Sequence, residues 1–182
     1  LMKVWPTLGR IAPDELNKKL KGTGLTDEEV QYIIRNIMNA KGIILIADAS
    51  KIGVRGEDPD QKLPYYLDNL ITQIQNTAGK LPKGIGLLLT KFEKWEAYYP
   101  QYTSDNGLKD FVKTYLPNTN NLIEAFNKMG VNYSVFYSCL YKDDNSEEER
   151  FKIDLTRNRI IYVEKQYDRL ITWIKDTFAS EQ

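Results

Sequence analysis

Residues 42–48, GIILIAD, form a continuous apolar run that ends in an acidic residue. A second run of this kind, GIGLLLTK, lies at 84–91, and VNYSVFY at 131–137 predicts a third strand. Short apolar runs without polar alternation are typical of strands that are buried on both faces. These segments therefore predict a parallel sheet that is covered by helices on both sides.

Helical patterns lie between and after these strands. One helix is predicted to open at Pro64 and to end at Gly79, two more lie over 106–116 and 119–129, and a last one lies over about 164–178. Strands that alternate with helices in this way predict an α/β fold. The expected architecture is a three-layer α/β/α arrangement with a mostly parallel, Rossmann-like sheet.

The remaining segments complete this prediction. LMKVW at 1–5 predicts a strand, 13–21 predicts a helix, and a capping box favours a further helix over 26–38. The acidic run DDNSEEER indicates a surface insertion over about 141–157. RIIYVE at 159–164 fits either a strand or the first turns of the last helix.

The composition indicates a single globular domain over residues 1–182 and excludes several kinds of site. Lys and Arg number 25 and Asp and Glu number 25, which argues against nucleic-acid binding through a strongly basic field. The absence of histidine excludes a Ser-His-Asp triad and a histidine-ligated zinc, and leaves the single cysteine, Cys139, as a small packing residue. Because apolar runs are short and the start lacks a signal-peptide layout, we predict no membrane span and a cytoplasmic location.

Ligands of open parallel sheets bind beyond the carboxyl ends of the strands. The segments at these positions are PTLGR at 6–10, DASK at 48–51, TKFEKWE at 90–96 and YSCLYK at 137–142. The glycine pair in GIG at 84–86 lies inside a strand instead, and it predicts close packing rather than a phosphate loop.

The segment after the second strand resembles the base-recognition motif of G domains, which is written NKxD or TKxD. Thr90, Lys91 and Glu93 stand at its positions. In that family the lysine stem lies along the purine face, and the acid accepts two hydrogen bonds from guanine, which selects GTP over ATP. The resemblance implies the same roles here. Glu93 replaces the usual aspartate, and its extra methylene moves the carboxylate outward, so we expect the bidentate contact to be strained or lost.

The segment after the third strand extends the resemblance. Ser138, Cys139 and Leu140 resemble the SAK-type loop, whose backbone N–H contacts the guanine O6. Cys139 stands where the family has alanine, and Leu140 stands where it often has lysine. The upstream apolar strand and the final amphipathic helix also fit a G domain, so the resemblance implies that this loop helps to bind the base.

The start of the chain offers two alignments. In one, PTLGR is similar to the DxxG segment that senses the γ-phosphate, and the N–H of Gly9 would meet that phosphate. Pro6 then stands at the aspartate position, so the indirect Mg²⁺ contact is missing. In the rival alignment, Thr7 is the Mg²⁺-binding threonine of switch I, but LMKVW is then the wrong strand.

The resemblance covers only the second half of a Ras-like G domain of the P-loop NTPase type. The sequence contains no GxxxxGK[ST], so the phosphate cradle, its lysine and its Mg²⁺-binding hydroxyl are missing. With a P-loop upstream of Leu1, the whole protein would be a GTPase or GTP switch that binds GTP or GDP with Mg²⁺. Without one, the domain would be a pseudo-GTPase that serves as a scaffold or interaction module. A third reading is an unrelated doubly wound domain in which TKFE is accidental.

An aromatic group follows the TKFE segment and consists of Trp95, Tyr98, Tyr99 and Tyr102. Tyrosine and tryptophan dominate the energetics of protein interfaces, so the group predicts an exposed patch for a protein partner. The alternative is that the rings cap the core above the sheet.

Overall fold

The computed structural model describes most of the chain. The described residues are 40–141, 151–154, 156, 159–162 and 167–178, together with the helical residues Glu28, Tyr32 and Asn36. These three residues agree with the helix predicted over 26–38. The predictions that lie outside the described residues are the strand at 1–5, the helix at 13–21, the PTLGR segment with Gly9, and the acidic run at 143–150.

Three parallel strands form the central sheet. They are β1 (Gly42–Asp48), β2 (Gly84–Thr90) and β3 (Asn132–Tyr137), and they lie side by side in chain order. Asp48 lies opposite Thr90 in the register. The predicted parallel sheet is confirmed, and the carboxyl ends of its strands meet at one edge.

Helices connect the strands. The elements between and after them are α1 (Pro59–Ala78), α2 (Glu93–Tyr98), α3 (Asp105–Tyr115), α4 (Pro117–Lys128), β4 (Phe151–Asp154), β5 (Arg159–Tyr162) and α5 (Asp168–Phe178), with 3-10 turns at Ala49–Lys51 and Pro100–Thr103. α1 joins β1 to β2, and α2 to α4 lie between β2 and β3. This alternation of strands and helices gives the expected three-layer α/β/α architecture.

One face of the sheet carries the hydrophobic core. Ile43 and Leu45 of β1 and Ile85 and Leu87 of β2 are at most 5% exposed. They form one cluster with buried side chains of α1, α3 and α4. Burying each such side chain stabilises the fold by about 1.5–3 kcal/mol, so this cluster fixes the sheet beneath its carboxyl edge.

The other face of the sheet is covered in part by α5. Trp173 packs against Phe136 of β3, with ring centroids 5.6 Å apart. A Cβ atom added to Gly84 would lie 2.7 Å from the side chain of Thr177, and one added to Gly86 would lie 3.1 Å from Trp173. The predicted role of this glycine pair in close packing is confirmed, because a larger residue at Gly84 would push the helix away.

One helix start differs from the sequence prediction, and the structure decides between the two readings of RIIYVE. Pro64 does not open a helix, because α1 begins at Pro59 and contains Pro64 in its interior. The side chain of Asp58 accepts a hydrogen bond from the N–H of Asp60 at 3.0 Å, so a side-chain cap and a proline at the first position start the helix earlier. The strand reading of RIIYVE is correct over Arg159–Tyr162, which pairs antiparallel with β4.

A buried carboxylate joins the starts of α1 and α4. Asp60 is 5% exposed. Its oxygens accept hydrogen bonds from the backbone N–H of Thr119 at 2.8 Å and from the backbone and side-chain nitrogens of Asn118, both at 3.0 Å. Asp60 thus supplies an N-terminal cap to α4 from another helix.

Candidate functional site

Three loop segments meet at the carboxyl edge of the sheet. Asp48 lies opposite Thr90, so the segments that follow β1 and β2 start side by side. The N–H of Ser138, after β3, donates to the carbonyl of Leu89 at 2.8 Å, and the N–H of Phe92 donates to the carbonyl of Ser138 at 3.3 Å. These backbone hydrogen bonds hold the TKFE and SCL segments together, as their positions in a parallel sheet predict.

Asp48 links the segment after β1 to the segment after β2. Its Oδ1 accepts hydrogen bonds from the N–H of Ser50 at 3.0 Å and from the Ser50 hydroxyl at 2.6 Å, and its Oδ2 accepts one from Lys91 Nζ at 2.7 Å. Partial burial raises the pKa of the Asp48 carboxyl, but the hydrogen bonds from Lys91 and Ser50 outweigh it and hold the pKa below its ordinary value. Asp48 is therefore charged at neutral pH and pairs with Lys91.

Lys91 has a backbone conformation that is unusual for its residue type. Its φ is 54°, and among the described residues it is the one non-glycine with a positive φ. The left-handed conformation costs a non-glycine residue about 1–2 kcal/mol. The next residue, Phe92, is fully buried and packs against Phe111 with ring centroids 5.0 Å apart. The turn thus leaves Lys91 exposed at the sheet edge while Phe92 anchors the segment in the core.

Thr90 makes a hydrogen bond between two strands of the sheet. Its hydroxyl donates a hydrogen bond to the carbonyl of Ala47 at 3.2 Å. This bond joins β2 to β1 one residue before Asp48 and Lys91 meet. The role in base binding that the resemblance implies for Thr90 stays a prediction.

Glu93 spans the gap to the segment after β3. It is the first residue of α2, and its Oε1 accepts a hydrogen bond from the N–H of Leu140 at 2.5 Å. The Glu93 carboxylate thus contacts the loop that follows β3. Glu93 is therefore oriented by a backbone N–H rather than left free to move.

Ser138 and Cys139 lie behind this loop. Their exposed fractions are 6% and 2%. The thiol of Cys139 and the hydroxyl of Tyr137 both donate to the carboxylate of Glu96, at 3.5 Å and 3.1 Å. The resemblance assigns the base contact to a backbone N–H of this loop, so that role of the loop stays a prediction, while the side chains serve its packing.

A cleft of about 490 Å³ opens at this edge. It brings together Lys91 and Glu93 of the predicted base motif with Trp95, Tyr98 and Tyr99 of the aromatic group. The other lining residues are Ala49, Ser50, Ile52, Lys94, Leu140 and Tyr141. Its volume lies in the range of about 300–1,000 Å³ that small-molecule sites occupy.

The aromatic group divides between the core and the surface. Trp95 packs on Phe111 with ring centroids 4.8 Å apart, and Tyr102 packs on the same ring at 5.3 Å. Tyr98 and Tyr99 are 65% and 42% exposed. Trp95 and Tyr102 therefore cap the core, while Tyr98 and Tyr99 form an exposed rim of the cleft.

Sequence reasoning gave no role to Asp48 or Glu96. One sequence feature could have pointed to Asp48. An aspartate followed two residues later by serine, at the end of a strand, is typical of a turn that is capped by the aspartate side chain. Glu96 had none, since its partners Tyr137 and Cys139 lie about forty residues away along the chain.

The described part of the chain holds neither a candidate metal cluster nor a helix that could span a membrane. In it, no group of three acidic or cysteine side chains is arranged to hold a metal ion. None of its helices combines the length and the apolar character that crossing a membrane requires. Comparison of the chain with protein-family models, curated proteins and solved structures finds no match.

Proposed function

We propose that the cleft binds the purine base of a guanine nucleotide, GTP or GDP, and that the domain is G-domain-like. One observation carries the proposal. Lys91 and Glu93 line the same cleft at the carboxyl edge of a parallel sheet, and each is held in place, Lys91 by Asp48 and Glu93 by the N–H of Leu140. Pre-positioned groups bind a ligand more tightly because less side-chain freedom is lost on binding.

The chemistry of the two side chains suits guanine. The methylene stem of Lys91 offers an apolar surface to the face of a planar base. A carboxylate has about four acceptor positions, of which the Leu140 N–H uses one, so Glu93 retains acceptors for the N–H donors of guanine even if the bidentate geometry of an aspartate is strained or lost. Adenine lacks these donors, so its binding would leave these acceptors of Glu93 without partners, which opposes it.

The proposed activity is binding rather than hydrolysis. Hydrolysis needs a phosphate cradle and a Mg²⁺ site, which a P-loop supplies, and no GxxxxGK[ST] occurs in the 182 residues. Mg²⁺ therefore enters the proposal only together with a P-loop. The same proposal includes a cytoplasmic location, which the single cysteine favours.

Calorimetric titration of the protein with GTP and, separately, with ATP tests the proposal. We expect the wild type to bind GTP more tightly than ATP, and Glu93→Gln to reduce that preference by about 10- to 100-fold, because charge-assisted hydrogen bonds are lost. Glu124→Gln is the matched control, since Glu124 is an exposed acid on α4, away from the cleft, and it leaves the preference unchanged. Equal binding of the two nucleotides, or no binding at millimolar concentration, overturns the proposal.

A second candidate rests on the exposed rim of the cleft. Tyr98 and Tyr99 are exposed, and rigid aromatic side chains at a concave surface are typical of protein interfaces. Under this alternative the chain is a pseudo-GTPase that binds a protein partner. The same titration separates the candidates, because the alternative predicts no binding of GTP.

A further inference from the structure

We propose that Asp48 is a positioning residue that sets the affinity and base preference of the cleft by holding the stem of Lys91 in one orientation. The inference rests on the proposed function, because it assigns a cause to the guanine preference of that site. It adds a residue from the segment after β1, which the base-motif resemblance does not include.

The geometry makes Asp48 a fixed anchor rather than one partner of a loose ion pair. Its Oδ1 is held by both the N–H and the hydroxyl of Ser50, so the carboxylate has one orientation before Lys91 approaches. Its Oδ2 then accepts the hydrogen bond from Lys91 Nζ at 2.7 Å. The two residues follow neighbouring strands in register, so the anchor is set by the sheet itself.

This anchor acts on a side chain that would otherwise move. The Lys91 side chain is 63% exposed, and an exposed lysine samples many rotamers. Pairing with Asp48 limits those rotamers to ones that keep the stem at the edge of the cleft. A ligand that packs on the stem therefore meets a surface that is already in place.

The pairing also decides which part of Lys91 a ligand meets. The ammonium group donates to Asp48, which draws the charge toward that carboxylate, so we expect the stem to be the part of Lys91 that a base contacts. The Lys51 ammonium and the Glu57 carboxylate lie close enough to Asp48 to interact with it electrostatically, but their own ion pair, at 2.6 Å, is with each other.

A purely structural role for the pair predicts a different behaviour. Exposed ion pairs contribute little to stability, and Asp48 and Lys91 are 31% and 63% exposed. If the pair only supported the fold, removing either residue would affect GTP and ATP binding alike. If it positions the stem, the effect falls on GTP, because only a base that pairs with Glu93 lies in the cleft and packs on the stem, and the effect requires Lys91.

A double-mutant cycle in nucleotide binding provides the test. The four proteins are the wild type, Asp48→Asn, Lys91→Met and the double variant, each titrated with GTP and with ATP. We expect Asp48→Asn to weaken GTP binding about fivefold, with no change for ATP. In the Lys91→Met background, which keeps a stem but has no ammonium, Asp48→Asn should have no further effect.

The outcomes separate the two proposals. If the wild type does not prefer GTP, the proposed function fails. If the wild type prefers GTP but the two substitutions have additive effects, the positioning role of Asp48 is wrong and the proposed function stands. Should Asp48→Asn fail to fold in a thermal unfolding control, Ser50→Ala replaces it, because it removes the 2.6 Å bond that orients Asp48. That variant should weaken GTP binding in the wild-type background and have no effect beside Lys91→Met; additive losses would again overturn the role.

Discussion

The indole Nε1 of Trp95 donates a hydrogen bond to the backbone carbonyl of Ala49, 3.1 Å away. Trp95 belongs to α2 and Ala49 belongs to the turn after β1, so the bond ties together two walls of the cleft. The same indole packs on Tyr115, with ring centroids 4.6 Å apart. One side chain thus joins the core to the rim of the site.

Replacement of Trp95 by phenylalanine should separate these walls. We expect Trp95→Phe to lower the free energy of unfolding by about 2 kcal/mol, because a hydrogen bond and part of a buried ring are lost. Urea denaturation measures the change. Tyr98→Phe is the control. Tyr98 is exposed, so removal of its hydroxyl should change the free energy of unfolding by less than about 0.5 kcal/mol. Equal effects of the two substitutions would show that the Trp95 contacts contribute nothing.

Asp60 should be more important for stability than any exposed acid. Asp60→Ala leaves the N–H groups of Asn118 and Thr119 at the start of α4 without their acceptor. We expect the free energy of unfolding to fall by about 3 kcal/mol, because three hydrogen bonds to a buried carboxylate are lost together. Chemical denaturation of this variant beside Asp110→Ala, which removes an exposed acid of α3, measures the difference. A loss as small as that of Asp110→Ala would rule out the capping role.

The sequence predicts the strands well because their signal is local. The runs at 42–48 and 84–91 are apolar on both faces, a pattern typical of strands in a layered fold, although Ile46 of β1 is 45% exposed. Gly79 was a reliable helix end for a similar reason, since its φ of 66° suits glycine. The sequence places the start of α1 too far along the chain, at Pro64, because proline is common at the first position of a helix. The side chain of Asp58 instead caps the helix several residues earlier.

The site is less predictable because its contacts join distant parts of the chain. Lys91 meets Asp48, 43 residues earlier, and Glu93 meets Leu140, 47 residues later. The sequence pattern predicts Lys91 and Glu93 as site residues but carries no information on these partners. α2 was also missed, because it has six residues and no side-chain cap at its start, so it lacks the usual signals of a helix.

The stability that Asp48 contributes should depend on pH in a defined direction. Its folded-state pKa lies below the ordinary value of 3.8, so the folded protein prefers the charged form more than the unfolded chain does. The contribution is therefore complete above the unfolded pKa and is lost as the pH falls through the folded pKa. The difference in unfolding free energy between the wild type and Asp48→Asn should stay constant from neutral pH to about pH 5 and shrink below it. Chemical denaturation across this range measures it, and a difference that grows toward low pH would contradict the assignment.

Substitutions of Lys91 can test whether its strained left-handed backbone is retained because the side chain is needed for ligand binding. Lys91→Gly and Lys91→Met both remove the ion pair with Asp48, but only glycine adopts a φ of 54° without strain. We therefore expect Lys91→Gly to be more stable than Lys91→Met by about 1 kcal/mol in urea denaturation, although it lacks the stem to which we assign base binding. In titrations with GTP, the glycine variant should bind more weakly than the methionine variant.

Lys94 provides the matched control for this comparison. It is the second residue of α2, where glycine is unfavourable by up to about 1 kcal/mol relative to alanine, so Lys94→Gly should be less stable than Lys94→Met, the reverse of the order at Lys91. If both positions give the same order, the left-handed backbone of Lys91 carries no measurable strain. If the orders are opposite and GTP binding falls with the stem, stability and binding conflict at this one residue, as expected where a strained conformation is retained for function.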